Sequence, residues 1–232
     1  MAKTFTKIGK EITIAVKQGG PDVVGNSRLR ALMAEARSEN MPKDNIEKAI
    51  KRALEKNQGD FKEVVFEGYG PHGIAYLVET ATDNNTRTVA NVRSYFTKCG
   101  GSLGTSGSVS FMFDHKCVFR IKYQEGMDID ELQLALCDCD DDPEVFIEEQ
   151  EDKDENITKN VVIYGAYESY GAIQKYIEDN GYELVSGGFE RIPNVDLKDV
   201  TPEQRETLDK LTGLLEDDDD VTNVYNTLKP AE

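Results

Sequence analysis

No run of apolar residues in this 232-residue chain approaches the ~20 that a membrane-spanning helix needs. The N-terminal segment MAKTFTKIGK has no apolar core of the kind a secretory signal carries. Four cysteines, Cys99, Cys117, Cys137 and Cys139, are too few for a disulfide scaffold. The expected compartment is the cytoplasm, with the thiols reduced. Only two histidines are present, His72 and His115, each expected in an exposed turn and neither with a recognisable nucleophile partner. What the chain does have is charge. Charged residues make up 31% and hydrophobic residues 38%, with a formal net charge of -17, as in a globular, charge-rich protein. The length allows one large domain or two to three small ones.

The acidity is unevenly spread. Residues 1–62 carry 13 Lys/Arg against 8 Asp/Glu, a net +5; residues 63–232 carry 14 against 36, a net -22. Such a split points to one part of the chain touching a polyanion. Charge alone is equally compatible with two solvated faces.

Residues 4–56 read as three short helices, a small bundle. Phe5, Ile8, Ile12 and Val16 recur at helical spacing, and Gly19-Gly20-Pro21 stops that helix. Asn26 or Ser27 caps the second, and Pro42 opens the third. At about 100° per residue, Lys3, Lys7, Lys10 and Lys17 fall on one arc opposite the apolar stripe. Lys48, Lys51 and Arg52 likewise oppose Ile46 and Ile50, and Arg28, Arg30 and Lys43 add to the same basic segment. A basic helical stripe can track phosphates, although the polar face of any amphipathic helix also carries lysines.

From Val64 the texture changes to strands with intervening helices. A literal G-x-G-x-x-G stands at Gly68, Gly70 and Gly73. A cofactor loop of that spelling must lie between a strand and a helix. Here Ile74–Thr80 is β-branched, aromatic and strand-like, and Pro71 marks a turn between two strands. Strands are expected at 62–67, 73–82, 107–113, 116–123 and 221–228, with helices at 86–98 and 203–216. From 73 onward that order is β-α-β-β-α-β, the ferredoxin-like arrangement. It is interrupted over 125–195 by a second α+β pattern, the kind of insertion a loop tip tolerates. The expected fold class is therefore α+β and multidomain. Residues 1–60 form a helical basic domain, 61–124 plus 196–232 a ferredoxin-like domain, and 125–195 an inserted acidic α+β domain.

No cluster asks to be a catalytic site or a metal site. Cys137-x-Cys139 lacks a second ligand pair and reads as thiols at a helix end facing a core. The acidic runs Asp138–Asp142, Glu148–Glu155 and Glu216–Asp220 lack calcium-loop spacing and read as solvated, self-repelling surface. Two glycine-rich loops, 68–73 and 100–107, are more suggestive. Beside them, Asn84, Asn85, Thr86 and Arg87 open a helix, and a helix N-terminus with an arginine can hold an anion. The same residues also serve as turns and caps.

The blocks EGYGPHGIAYLVE, TDNNTRTVANVR and KCGGSLGTSGSVSFMF, in that order, resemble the signature of the YebC/PmpR family. Upstream, AVKQGGPD and NSRLRALMAEARSENMPKDNIEKAIKRA are similar to the family's helical first domain. The match runs from about Thr4 to Val118, then more loosely to the C-terminus. The family is labelled as probable transcriptional regulatory proteins that bind DNA, and it includes the mitochondrial translational activator of cytochrome c oxidase. Members are also implicated in relieving stalled ribosomes, and no catalytic activity is attributed to them. The resemblance implies a helical first domain and two α+β domains. It implies a non-enzymatic regulator with no cofactor, expected as a monomer, whose partner is nucleic acid, either DNA or ribosomal RNA on the ribosome. A rival from another class is a protein-interaction module whose acidic body binds a basic partner. Members usually carry a basic leader, often with a Trp, ahead of the segment matching Thr4, whereas this chain starts at Met1 and has no Trp. Either the subgroup lacks the leader or Met1 is an internal methionine of a longer frame, and its loss would weaken polyanion binding.

Overall fold

The computed structural model describes residues 2–55, 60–151 and 157–230. It opens with helices α1 (Ala2–Gly19), α2 (Ser27–Ser38) and α3 (Lys43–Leu54). Strands β1 (Lys62–Tyr69) and β2 (Ala75–Thr82), helix α4 (Asn85–Lys98), strands β3 (Ser102–Leu103) and β4 (Phe113–Lys122), and helix α5 (Ile129–Leu136) follow. Then come β5 (Glu144–Glu151), β6 (Ile157–Ala166), α6 (Tyr170–Asp179), β7 (Leu184–Pro193), α7 (Pro202–Glu216) and β8 (Val221–Asn226). The strands form two four-stranded sheets, ordered β3-β1-β2-β8 and β5-β6-β4-β7. The chain is thus α+β and multidomain, as its sequence pattern predicts. It divides into two compact units, Met1–Ile14 with Lys51–Asp114 and Arg191–Glu232, and Ala15–Ile50 with His115–Glu190.

In the first unit, β1 and β2 form an antiparallel hairpin from Lys62↔Thr82 to Tyr69↔Ala75. The glycine motif is its turn. Gly73 adopts φ +73°, and a Cβ on Gly70 would lie 2.7 Å from the Tyr76 ring, so both glycines serve the turn and close packing. Side-chain alternation along β2 covers both faces of the sheet. Tyr76 and Val78 join Val92 and Phe96 of α4 and Leu208, Leu211 and Leu215 of α7. Ala75 and Leu77 meet Val109 and Phe113 on the other face. Helix α7 starts at a capping box, in which Thr201 Oγ1 accepts from the Gln204 amide and the Gln204 side chain accepts from the Thr201 amide.

Two strand expectations are corrected in this sheet. Residues 107–112 are not a strand, Phe113 being the first residue of β4, and only Ser102–Leu103 pairs with β1 there. The reason is Glu67. Its carboxylate accepts from the backbone amides of Gly107 at 2.7 Å and of Val109 and Ser110 at 2.8 Å each. Amides donated to a carboxylate cannot also build a ladder. The strand expected at 116–123 in this sheet belongs to the other one, where Lys116–Lys122 pairs with Asn160–Ala166.

Burial alone would raise the Glu67 carboxyl, but the bonds from Gly107, Val109 and Ser110 outweigh it and hold it below its ordinary value. A lowered folded value means that the ionised form stabilises the fold. Its contribution is complete above the unfolded glutamate value of ~4.3 and is lost as pH falls through the lower folded value. Glu67→Gln is expected to cost about 1.5–3 kcal/mol at neutral pH, the range for hydrogen bonds to charged groups. Urea unfolding at pH 7 and pH 3 checks it, because the variant's deficit should shrink at the lower pH.

In the second unit, Cys117, Phe119 and Ile121 of β4 alternate inward with Val161 and Ile163 of β6. Leu132 and Leu136 of α5, and Tyr170, Ile173 and Ile177 of α6, complete this core, and Ala31 of α2 joins it. Asn26 is the N-cap of α2, accepting from the Leu29 amide at 3.0 Å, and its Nδ2 donates to the Ala15 and Gly20 carbonyls at 2.8 Å each.

Candidate nucleic-acid interface

The first three lysines of the α1 stripe, Lys3, Lys7 and Lys10, face the chain's own acid. Lys3 Nζ lies 2.6 Å from Asp217 Oδ1. Lys7 Nζ donates to the Glu216 carbonyl at 3.0 Å. Lys10 Nζ donates to the Asp219 carbonyl at 2.7 Å, to Asp220 Oδ1 at 2.8 Å and to the Ala81 carbonyl at 3.2 Å. Burial draws the Lys7 ammonium below its ordinary value.

Asp220 is the hub of this arrangement. Besides Lys10, it accepts from Arg87 Nη2 at 2.6 Å, Thr88 Oγ1 at 2.9 Å and Thr82 Oγ1 at 3.3 Å. Burial alone would raise its carboxyl, yet the bonds from Lys10, Arg87 and Thr88 hold it below the usual carboxylate range. Neighbouring Asp218 accepts from Tyr95 OH at 2.9 Å and Asn91 Nδ2 at 3.2 Å. Burial and that bond push the Tyr95 phenol up to about 12, so it stays a neutral donor. The sequence reading of Glu216–Asp220 as solvated, self-repelling surface holds for exposed Glu216, Asp217 and Asp219 and is corrected for Asp220. Asp220 is buried, and its repulsion is offset by amines, a guanidinium and hydroxyls.

The second candidate edge, Asn84–Arg87, is a working helix start. Asn84 Oδ1 caps α4 by accepting from the Arg87 amide at 3.1 Å. Asn85 and Thr86 are exposed. The anion that Arg87 meets is internal, since its guanidinium bridges Asp220 and Asp83, the latter at 3.0 Å.

The remaining basic residues differ in how much of their charge is already used. Arg30 pairs with Glu178 at 2.7 Å and donates to the carbonyls of Val23 and Val24. Arg28 donates to Gln18 Oε1 at 3.1 Å. The Arg52 guanidinium lies over the Phe61 ring at 4.4 Å, with Lys10 Nζ 5.3 Å from the same ring. Lys17 is exposed in the last turn of α1, and exposed Lys43 pairs with Glu47 at 3.6 Å. Lys48 and Lys51 are exposed and have no hydrogen bond or ion pair among the described residues. They lie three residues apart on α3, away from buried Ile46 and Ala49, so their ammonium groups point outward together.

The other expected features fall into place around this. Cys137 is exposed rather than core-facing, while Cys139 packs against the second unit's core. His115 lies in β4 and stacks on Tyr167 at 4.2 Å, not in an exposed turn. Among the described residues, no three His, Cys, Asp or Glu side chains are grouped to hold a metal ion. Among the same residues, no helix is long and apolar enough to cross a membrane.

Helices with outward lysines followed by two four-stranded α+β sheets define an architecture shared with known proteins. Residues 1–56 match the TACO1/YebC protein N-terminal domain, and residues 61–228 match the TACO1/YebC second and third domain. The chain belongs to the TACO1/YebC family. It is 58% identical to a protein of Parabacteroides distasonis over 99% of this chain and 90% of that one. It is 57% identical to one of Bacteroides thetaiotaomicron over 100% and 91%, and both relatives are named "Probable transcriptional regulatory protein". The crystal structure of the conserved hypothetical protein Aq1575 from Aquifex aeolicus superposes with a TM-score of 0.79 at 32% identity, covering 100% of this chain and 91% of that one.

Proposed function

We propose that this chain is a non-enzymatic, cytoplasmic regulator of gene expression that binds nucleic acid through the outward basic residues of its N-terminal helices, residues 1–60. The reading is supported by the family and by the names of the relatives. The geometry that carries it is the difference between used and unused cations. Lys3, Lys7, Lys10, Arg30 and Arg87 meet the chain's own carboxylates and carbonyls. Lys48 and Lys51 are presented to solvent, where each phosphate contact releases counterions. Lys17, Lys43 and Arg28 flank them in sequence as weaker contributors.

The first reading of the ligand is promoter DNA, following the relatives' names. One observation favours ribosomal RNA instead. Residues 63–232 carry a net -22, so a naked duplex lying along the body would be repelled over most of it, whereas a factor docked by one end avoids that cost. Crosslinking in cells followed by sequencing separates the two. Discrete promoter fragments are expected for a transcription factor, and ribosomal RNA for a translation factor. Recovery of neither, alongside basic proteins bound to the acidic body, sinks both and favours a protein-interaction module.

A further inference from the structure

We infer that the loop Glu216–Asp220 is an intramolecular competitor for the α1 stripe: a polyanion reaches Lys3 and Lys7 only by displacing it, while Lys10 stays locked as the pivot. This rests on the nucleic-acid reading above and adds to it how access to the basic segment is regulated. The loop presents acceptors to three successive lysines of one helical face. Asp217 meets Lys3, the Glu216 carbonyl meets Lys7, and the Asp219 carbonyl with the Asp220 carboxylate meets Lys10. To α1 the loop is a short row of oxygens standing where phosphate oxygens would stand.

The contacts are graded along the helix. The Lys10 and Asp220 side chains are 11% and 6% exposed. Separating a pair that is this buried is strongly unfavourable, so the inner contact holds. The Lys3 and Asp217 side chains are 55% and 75% exposed. Exposed pairs contribute little and weaken with salt, so this contact exchanges readily for another anion. Lys7 lies between the two and is held by a neutral carbonyl, which a phosphate outcompetes as an acceptor for an ammonium. Displacement therefore starts at the N-terminal turn of α1 and stops at Lys10. The acidic loop keeps the first turn from indiscriminate anion binding, and only a dense array of phosphates recovers it.

The test is a double-mutant cycle with Lys3→Gln and Asp217→Asn in the full chain, and Asp141→Asn as the charge-matched control far along the sequence. The probes are inorganic polyphosphate, a labelled DNA duplex and a labelled structured RNA, at low salt. Asp217→Asn is expected to raise affinity for polyphosphate about two- to fivefold, the fold-change corresponding to an exposed pair. Lys3→Gln should cancel that gain, and Asp141→Asn should not reproduce it. An equal gain with Lys3→Gln present, an equal gain from Asp141→Asn, or no gain at all overturns the competitor role. Amide exchange gives a readout that needs no ligand. Asp217→Asn should speed exchange in the first turns of α1 and leave the turn around Thr13 unchanged; unchanged exchange in the first turns also overturns it. Binding of polyphosphate but of neither nucleic acid, with the cycle behaving as expected, sinks the nucleic-acid reading and leaves the competitor standing. If none of the three probes binds wild type or Asp217→Asn, both fall.

Discussion

Asp220→Ala is expected to destabilise the chain by about 3 kcal/mol, the lower end of the range for removing one partner of a buried ion pair. The lower end applies because the Lys10 ammonium keeps two carbonyl acceptors, on Ala81 and Asp219. Arg87 is half-exposed and can turn to Asp83 or water, so its loss adds little. The Thr82 and Thr88 hydroxyls already bond each other at 2.7 Å. For a protein of this size the loss corresponds to a fall in Tm of roughly 6–12 °C. Asp220→Asn keeps the shape and an acceptor and should cost about half as much. The pH dependence follows from the lowered carboxyl. Because the folded state holds Asp220 ionised more firmly than the unfolded chain does, its contribution is full above the unfolded aspartate value of ~3.9 and is lost as pH falls through the folded value. Thermal unfolding from pH 7 down to pH 3 should therefore bring wild type and Asp220→Asn together at the acid end. Curves that stay parallel would show that Asp220 is not the hub.

The second large effect concerns binding. Lys48→Glu with Lys51→Glu is expected to weaken nucleic-acid affinity roughly tenfold or more near physiological salt and to reduce the salt slope by about two. Each lysine contributes one counterion-releasing contact, and each glutamate adds repulsion. Stability should hardly change, because both side chains are exposed and unpaired among the described residues. Lys10→Gln should behave in the opposite way, costing stability through Asp220 with little change in salt slope. Titrations at several salt concentrations check this. Unchanged binding by the charge-reversed α3, with an unchanged slope, would move the contact elsewhere on the chain.

Local pattern identified most of the elements, because it is written in periodicity and capping chemistry. The Ile8, Ile12 and Val16 spacing, the turn at Gly70–Gly73 and the Thr201–Gln204 box each lie within a few residues of the element they define. Sheet membership was less visible. Alternation of Cys117, Phe119 and Ile121 says that one face of a strand is buried, but not which sheet buries it, and β4 went to β6 rather than to the hairpin. The loss of a strand at 107–112 depends on Glu67, some forty positions away, whose carboxylate takes the amides. The candidate site divides along the same line. Helical arcs identify which lysines share a face, and the outward set on α3 follows from that. What a face meets depends on partners 209 to 214 positions away, as for Lys3, Lys7 and Lys10. A run of five acids looks solvated until a row of amines lies beside it. The Asn84-Asn85-Thr86-Arg87 start was recognisable as a cap, but not that its arginine already has a carboxylate.

Ultraviolet crosslinks between the intact protein and bound nucleic acid, mapped to individual peptides, test whether the outward face of α3 is the contact surface. Adducts are expected on the α3 peptide that contains Lys48 and Lys51, with few on residues 125–195 and with loss of the α3 adducts in the charge-reversed variant. Adducts concentrated on residues 125–195, or retained on α3 after charge reversal, would contradict it.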